Sequence, residues 1–508
     1  MKQKKADNKE YVKSAFLYTV AFCTGTSVMI LEMLGFRLLA PYFGYSTYIW
    51  GSLIGIIMAA LSAGYLIGGN LADRYQKPSL LFLMIFLSGL YTGIMTWAYK
   101  SILLFSQNFG LIGGSIVATV ILFACPMVLL SAVSPFIIRV LAEEKKMGSI
   151  AGKIYSISTM GSIAGTFLSS FYLIPVLGSH KTLVICAIFL IVSGITGLTL
   201  YKKEYAFLIL VPLLFNYPEP SPGENIIFSK ESPYSHVEVE KYKGWLLLKP
   251  EANFIHSIYK PDRIMTDNLW DYYCIAPLIC KKPEKCLILG MGGGTSVRQY
   301  LYFWPDMKID ALDIDPVIVD VAKNLFGVPA NNPNLNIIIE DARTYLENIQ
   351  NKYDFIQIDI FRGGVYIPFY LASKEFFSLC YKRLETGGMV IMNVNILKDA
   401  SEKEPSLYGC TGNTISEIFP SVFSIKLDSG NALFLAFRDK IKEEDLLNNF
   451  KDVKSNREEL QKLFSSVYLN IKSYKKDSNS FILTDDLAPL DELTYPIAVH
   501  AFKKINEW

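Results

Sequence analysis

The chain has 508 residues, a formal net charge of +2, and 51% hydrophobic against 19% charged residues. Those averages conceal a division: residues 14–200 hold only 13 Asp, Glu, Lys or Arg, about 7%, while residues 201–508 hold 76, about 25%, an ordinary soluble content. A wholly soluble protein, a collagenous or disordered chain and a small disulfide scaffold are excluded, and the near-zero charge argues against a general nucleic-acid binder.

A helix needs about 20 apolar residues to cross about 30 Å of hydrocarbon. Runs of that kind occupy 14–34, 49–69, 80–97, 111–130, 150–174 and 182–200. They predict an N-terminal α-helical transmembrane bundle over residues 1–216, in contact with a lipid bilayer. The first run is not read as a cleaved signal peptide, because it is too long and further runs follow it directly. A seventh run, 206–215, has only ten residues. It is too short to span unaided and reads as re-entrant, interfacial or a short tilted helix.

Basic residues set the orientation. Lys2, Lys4, Lys5, Lys9 and Lys13 precede the first run, and Arg74 and Lys77 follow the second. Arg139, Lys145 and Lys146 follow the fourth, and Lys202 and Lys203 the sixth, while the alternate connections are poor in Lys and Arg. The N terminus is therefore expected in the cytoplasm, and six crossings return the chain there. A true seventh crossing would leave the remainder outside. Glu32 falls inside the first run with Arg37 about a turn beyond it; an acid at that depth is costly, and an ion pair between the two is the structural expectation. Residues 68–74 (GGNLADR) resemble the short cytoplasmic loop of major-facilitator transporters.

Beyond Pro218 and Pro220 the pattern becomes that of short strands. Residues 236–240 (HVEVE) alternate, and 245–248 (WLLL) follow a Lys-Gly turn, which predicts a hairpin and a small β subdomain over 217–283. From 284 to 508 strand and helix alternate. Strands are predicted at 286–290, 309–315, 335–339, 353–359 and 388–394, with helices at 296–302 and 373–384. That alternation implies a doubly wound, mostly parallel Rossmann-like sheet, the class I S-adenosylmethionine-dependent transferase type.

The chemistry gathers at the strand ends. The turn at 290–295 (GMGGGT) lets backbone approach a ligand at a helix N terminus through Gly290, Gly292, Gly294 and Thr295. An acid about 20 residues on suits the two hydroxyls of a ribose. Asp313 and Asp315, then Asp341, then Asp359 each end a strand on one edge of the sheet, where open α/β folds bind ligands. The eight cysteines contain no C-x-x-C pair and the four histidines no ligand spacing, so no metal is expected.

These residues resemble the spermidine/spermine synthase family, the polyamine aminopropyltransferases, and most of all a subgroup fused to a membrane domain. The resemblance covers about 231–395 and 484–493. It is carried by 231–234 (ESPY), 256–259 (HSIY), 270–272 (WDY), 290–295 (GMGGGT), 313–316 (DIDP), 340–343 (EDAR), 359–362 (DIFR) with Ile367 and Pro368, and 484–489 (TDDLAP). Glu32, Arg37 and 41–44 (PYFG) fit the fused subgroup. The resemblance implies S-adenosylmethionine or its decarboxylated form as co-substrate, no metal, and a small-molecule acceptor such as an amine. A homodimer is compatible with it. It places Asp313 on the ribose, Asp341 near the adenine with Ala342, and His256 among the nucleoside contacts. Asp359 matches the acid that holds and deprotonates the attacking amine.

Two departures stand out. The family's acid in the glycine turn falls here on Gly293, and its second acid after the catalytic one is replaced in the stretch 361–363 (FRG). Arg362 would repel a diamine. Asp271, Tyr272, Asp485 and Asp486 are the candidates for replacement substrate contacts. The leading expectation is a multi-pass cell-membrane enzyme, aminopropyltransferase-like, with a cytoplasmic catalytic domain that releases methylthioadenosine. A lyase or methyltransferase on the same nucleoside, and a nucleoside-gated transporter or sensor, are the alternatives.

Overall fold

Each long apolar run becomes one helix in the computed structural model, which describes residues 2–75, 77–142, 147–201, 204, 208, 223, 225–250, 254–280, 283–397, 404–452 and 458–506. The chain divides into two compact units, Met1–Ser221 and Pro222–Trp508.

In the first unit the described residues hold six helices long and apolar enough to cross a membrane: Ser14–Phe43, Thr47–Tyr75, Pro78–Phe109, Leu111–Leu141, Met147–Leu177 and Ser179–Tyr201. The first packs along the fifth and the third along the sixth. The first contact depends on small residues. Gly161 and Gly165 lie against the backbone of Phe22 and Thr26, where any side chain would collide. Thr26 Oγ1 donates to Gly161 O at 3.0 Å, and Ser162 Oγ to Gly25 O at 3.3 Å. Close approach with interhelical hydrogen bonds is how helices associate when apolar side chains gain nothing from leaving their solvent. The fourth helix contains a π-helical turn, Val120–Ala124, just before Pro126, whose missing N–H interrupts the α-helical ladder.

One sequence expectation about charge changes here. Glu32 makes no hydrogen bond or ion pair among the described residues, so the expected Glu32–Arg37 pair is not formed. Arg37 lies five residues on, more than one turn along the same helix, and is engaged elsewhere. The acid of the 68–74 motif, Asp73, pairs not with its neighbour Arg74 but with Arg139 Nε at 2.9 Å, tying the end of the second helix to the end of the fourth. The short run 206–215 lies outside the described residues except for Leu208, as do Lys145, Lys146, Lys202 and Lys203.

The second unit opens with a four-stranded antiparallel sheet, β1 (Ile226–Glu231), β2 (His236–Tyr242), β3 (Trp245–Pro250) and β4 (Ser257–Tyr259), in that order. The predicted hairpin is its centre; β1 and β4 were not expected. Val237, Val239 and Leu248 pack onto Val317, Ile318, Val321 and Phe326. This sheet therefore has no core of its own and rests on the helix Pro316–Asn324.

The larger sheet holds β5 (Lys285–Leu289), β6 (Lys308–Asp313), β7 (Leu335–Ile339), β8 (Tyr353–Ile358), β9 (Leu384–Asn395), β10 (Ser421–Leu427), β11 (Asn431–Phe437) and β12 (Ile471–Ser473), ordered β12-β10-β11-β9-β8-β5-β6-β7. β9, β8, β5, β6 and β7 are parallel, while β11, β10 and β12 extend the sheet antiparallel. The strand order reverses between β5 and β8, the switch point where such sheets bind ligands. Four strand ends shift by a residue or two from expectation, with β5 stopping at Leu289. β6 stops at Asp313 and β8 at Ile358, which leaves Asp315 and Asp359 just beyond their strands, and β9 runs on to Asn395.

Candidate active site

A cavity of about 590 Å³ opens at the C-terminal edge of the parallel strands, within the usual range for small-molecule sites. Its floor is the glycine turn. Gly290 and Met291 both donate to Leu312 O, at 3.0 and 2.7 Å, which draws the turn across the end of β6. Gly290 adopts φ +84°, and a side chain there would strike the carbonyl of Asp359. Only glycine lets β5 leave the sheet this close to the end of β8.

That turn orients Asp313. Gly292 N–H donates to its Oδ2 at 2.9 Å and Asp315 N–H to its Oδ1 at 3.0 Å. Burial pushes its carboxyl up to about 6, although both backbone donors favour the charged form. The small sheet is joined to the same turn. Gly293 N–H donates to Ser257 Oγ at 2.9 Å, Ser257 Oγ donates to His256 O at 2.6 Å, and Thr295 Oγ1 donates to Ile258 O at 3.1 Å. His256 thereby reaches the cavity wall with Nε2 unpartnered among the described residues. Burial lowers its pKa to about 4, so it stands there as a neutral ring. An orphaned ring nitrogen beside an oriented carboxylate and glycine backbone fits a nucleoside, which supplies hydroxyls and ring nitrogens to such groups.

The other expected nucleoside residues divide. Gly290, Gly292, Thr295, Asp315, Asp341 and Ala342 line the cavity. Gly294 does not; it caps the helix Thr295–Phe303 beside Val328. Asp315 is already engaged, accepting from Ser232 Oγ at 2.5 Å, Ser235 Oγ at 2.9 Å and Val317 N–H at 2.9 Å. Its carboxylate locks the small sheet to the helix below. Asp341 caps the helix Ala342–Asn348 through Arg343 N–H and Thr344 N–H, and accepts the Tyr370 hydroxyl at 2.9 Å.

Asp359 sits on the opposite side of the glycine turn from Asp313. Asn393 Nδ2 donates to its Oδ1 at 3.1 Å, and the fully buried Tyr273 hydroxyl faces it at longer range. Burial raises the carboxyl to about 6, against the pull of Asn393 and Tyr273. A carboxylate of that basicity can accept a proton from an amine and remain ionised at neutral pH.

None of the expected replacement substrate contacts faces the cavity. Asp271 is 4% exposed and accepts from Thr266 N–H, Thr266 Oγ1, Asp267 N–H and Gln299 Nε2, which leaves no lone pair for a ligand. Tyr272 meets Ser466 Oγ at 3.1 Å. Asp485 is clasped by Arg343 at 2.6 and 2.7 Å and by Ser373 Oγ at 2.6 Å, and Asp486 is exposed. The cavity instead gains residues the sequence reading did not single out: Glu340, Gln357, Asn393, Asn395, Ser429 and Asn431. Asn393 and Asn395 carry a detectable signal, since both end the strand that follows Asp359.

The two raised carboxyls make stability depend on pH. Near 6 in the folded state and about 3.9 in an unfolded chain, they favour the fold fully below about pH 4, and that contribution is lost as pH rises through 6. Asp359→Asn should therefore be more heat-stable than the native chain at pH 7.5, by about 1–3 kcal/mol, with the gain fading towards pH 4.5. Thermal unfolding at both pH values checks this; an equal gain at both would contradict it.

A doubly wound sheet with a glycine turn, an oriented acid at the end of its second strand and a basic carboxylate across the switch point defines a Rossmann-like domain. Residues 275–422 match the spermine/spermidine synthase domain. Among curated relatives, the chain is 29% identical over 299 residues to a probable polyamine aminopropyl transferase of Bifidobacterium longum, covering 55% of this chain and 64% of that one. The chain thus spans just under two thirds of that relative. Polyamine aminopropyltransferase 2 of Aquifex aeolicus is 22% identical over 411 residues, covering 74% of this chain and 78% of that one. An alignment that long runs past the second unit into the apolar helices. A crystal structure of a probable spermidine synthase from Corynebacterium glutamicum aligns over 53% of this chain and 98% of its own, with a TM-score of 0.41 and 16% identity.

Proposed function

We propose that the chain is a membrane-embedded aminopropyltransferase-like enzyme that takes its group from S-adenosylmethionine or the decarboxylated form. The carrying observation is the pairing of two acids across one glycine turn, Asp313 to hold a ribose and Asp359 to receive a proton. The nitrogen lone pair of an acceptor amine attacks the propyl carbon next to sulfur. The carbon–sulfur bond breaks, its electrons stay on sulfur, and methylthioadenosine leaves as a neutral thioether. Asp359 takes the proton that the amine sheds. Because the leaving group is already good, the protein's main tasks are to hold the amine unprotonated and in line. Incubation of the full-length protein with either donor and a panel of amines tests this. Methylthioadenosine is the expected nucleoside, and S-adenosylhomocysteine would instead mark methyl transfer.

The membrane reading rests on what the first unit exposes. Met58, Leu66, Trp97, Phe167 and Phe171 are 57–74% exposed, large apolar side chains on helix faces that water would not tolerate in such number. With six crossings and basic residues at alternate ends, the second unit faces the cytoplasm. Lys440 is exposed on that unit, so Lys440→Cys should resist an impermeant maleimide in intact cells and react after permeabilisation. Labelling in intact cells would contradict the orientation.

A further inference from the structure

The edge of the sheet changes chemical character at Asp359. The acids lining the cavity are Asp313, Asp315, Glu340, Asp341 and Asp359. All but Asp359 follow β6 and β7, on the nucleoside side. Past Asp359, along β9 and β11, the cavity wall turns to neutral amides. Asn393 and Asn395 close β9, and Asn431 opens β11. They form one joined row. Asn431 Nδ2 lies 3.1 Å from Asn393 Oδ1 and 2.9 Å from Asn395 Oδ1, Ser429 Oγ donates to Asn431 Oδ1 at 3.0 Å, and Asn393 continues the row to Asp359. An acceptor attacking from the side opposite the departing sulfur would lie along this row.

The glycine turn offers no substitute acid. A side chain built on Gly293 would meet Phe326 at 2.7 Å and Ser257 at 2.9 Å, so the space for a carboxylate is already filled. Beyond Asp359, then, a second ammonium would lose hydration and meet no counter-charge among the described residues, a costly exchange. An uncharged group that both donates and accepts would be satisfied by the amides.

We propose that the acceptor is an amine with a single basic nitrogen and an uncharged hydrogen-bonding group at its far end, a hydroxyl or amide, and not a diamine. This rests on the aminopropyl-transfer reading. The test uses the full-length protein in detergent with three matched four-carbon acceptors: putrescine, its hydroxyl analogue aminobutanol and its carboxylate analogue aminobutyrate. Aminobutanol should exceed both others in kcat/KM by at least about tenfold, and Asn395→Asp or Asn431→Asp should move the preference towards putrescine by a similar factor. Binding of each acceptor in the presence of methylthioadenosine provides the readout if turnover is slow. Putrescine equal or better in the native chain, aminobutyrate best, or no acceptor bound beside a tightly held nucleoside would overturn the inference alone. Failure to bind methylthioadenosine at all would overturn the transfer reading and this inference with it.

Discussion

Replacing Asp359 with Asn should lower turnover by at least ~10²-fold while nucleoside affinity barely changes, the lower range for loss of a general base. The substitution keeps the shape of the side chain and its contact with Asn393, but it removes the charge and the site that takes the proton. The native enzyme should lose kcat/KM as pH falls through about 6, where burial places the carboxyl, because a protonated acid can neither orient an ammonium nor accept from it. In the variant that limb of the profile should vanish. A purely structural Asp359 predicts the reverse on each count: activity retained, pH profile unchanged, and stability lowered at pH 7.5 instead of raised. Calorimetry with methylthioadenosine, run beside the kinetics, keeps a binding defect from passing as a chemical one.

Replacing Asp313 with Ala should weaken nucleoside binding by about 2–4 kcal/mol, a factor of about 30 to 1,000. Each hydrogen bond to a charged acceptor contributes about 1.5–3 kcal/mol, and the two ribose bonds are not fully additive. The structure sharpens the reason this acid should matter more than Asp315, two residues away. Asp313 takes only backbone N–H groups at the cavity floor, which fix its direction and leave its remaining lone pairs open. Asp315 is filled by two serines and a helix cap. Asp315→Ala should therefore cost stability more than affinity, and unchanged affinity in Asp313→Ala would remove the ribose assignment.

What the sequence disclosed and what it hid follow from the range of the interactions involved. Periodicity and run length are local, so the six apolar helices and the parallel strands were legible, as was the glycine turn with Asp313 and Asp359 on either side of it. Side-chain direction is not local. Asp271, Asp485 and Asp486 lie within motifs that carry the family resemblance, yet Asp271 turns inward to Gln299 and Asp485 outward to Arg343. Glu32 and Arg37 are near neighbours on one helix and still do not pair. The amide row was hidden for a third reason. Asn431 reaches Asn393 and Asn395 only because β11 pairs antiparallel with β9, bringing together residues 36 and 38 apart in the chain. Asparagine at a strand end usually signals only a turn, so nothing in its own neighbourhood marked it as cavity wall.

The most direct test of the account follows the three-carbon chain itself. The full-length protein would be supplied with donor labelled on the propyl carbons, S-adenosylmethionine or the decarboxylated form, together with an amine acceptor, and the label traced by mass analysis. Label entering the amine in step with methylthioadenosine, and lost in Asp359→Asn, is the predicted result. Methylthioadenosine formed while the label appears only in a small molecule lacking the amine would show a lyase, and would contradict transfer to an acceptor held by Asp359.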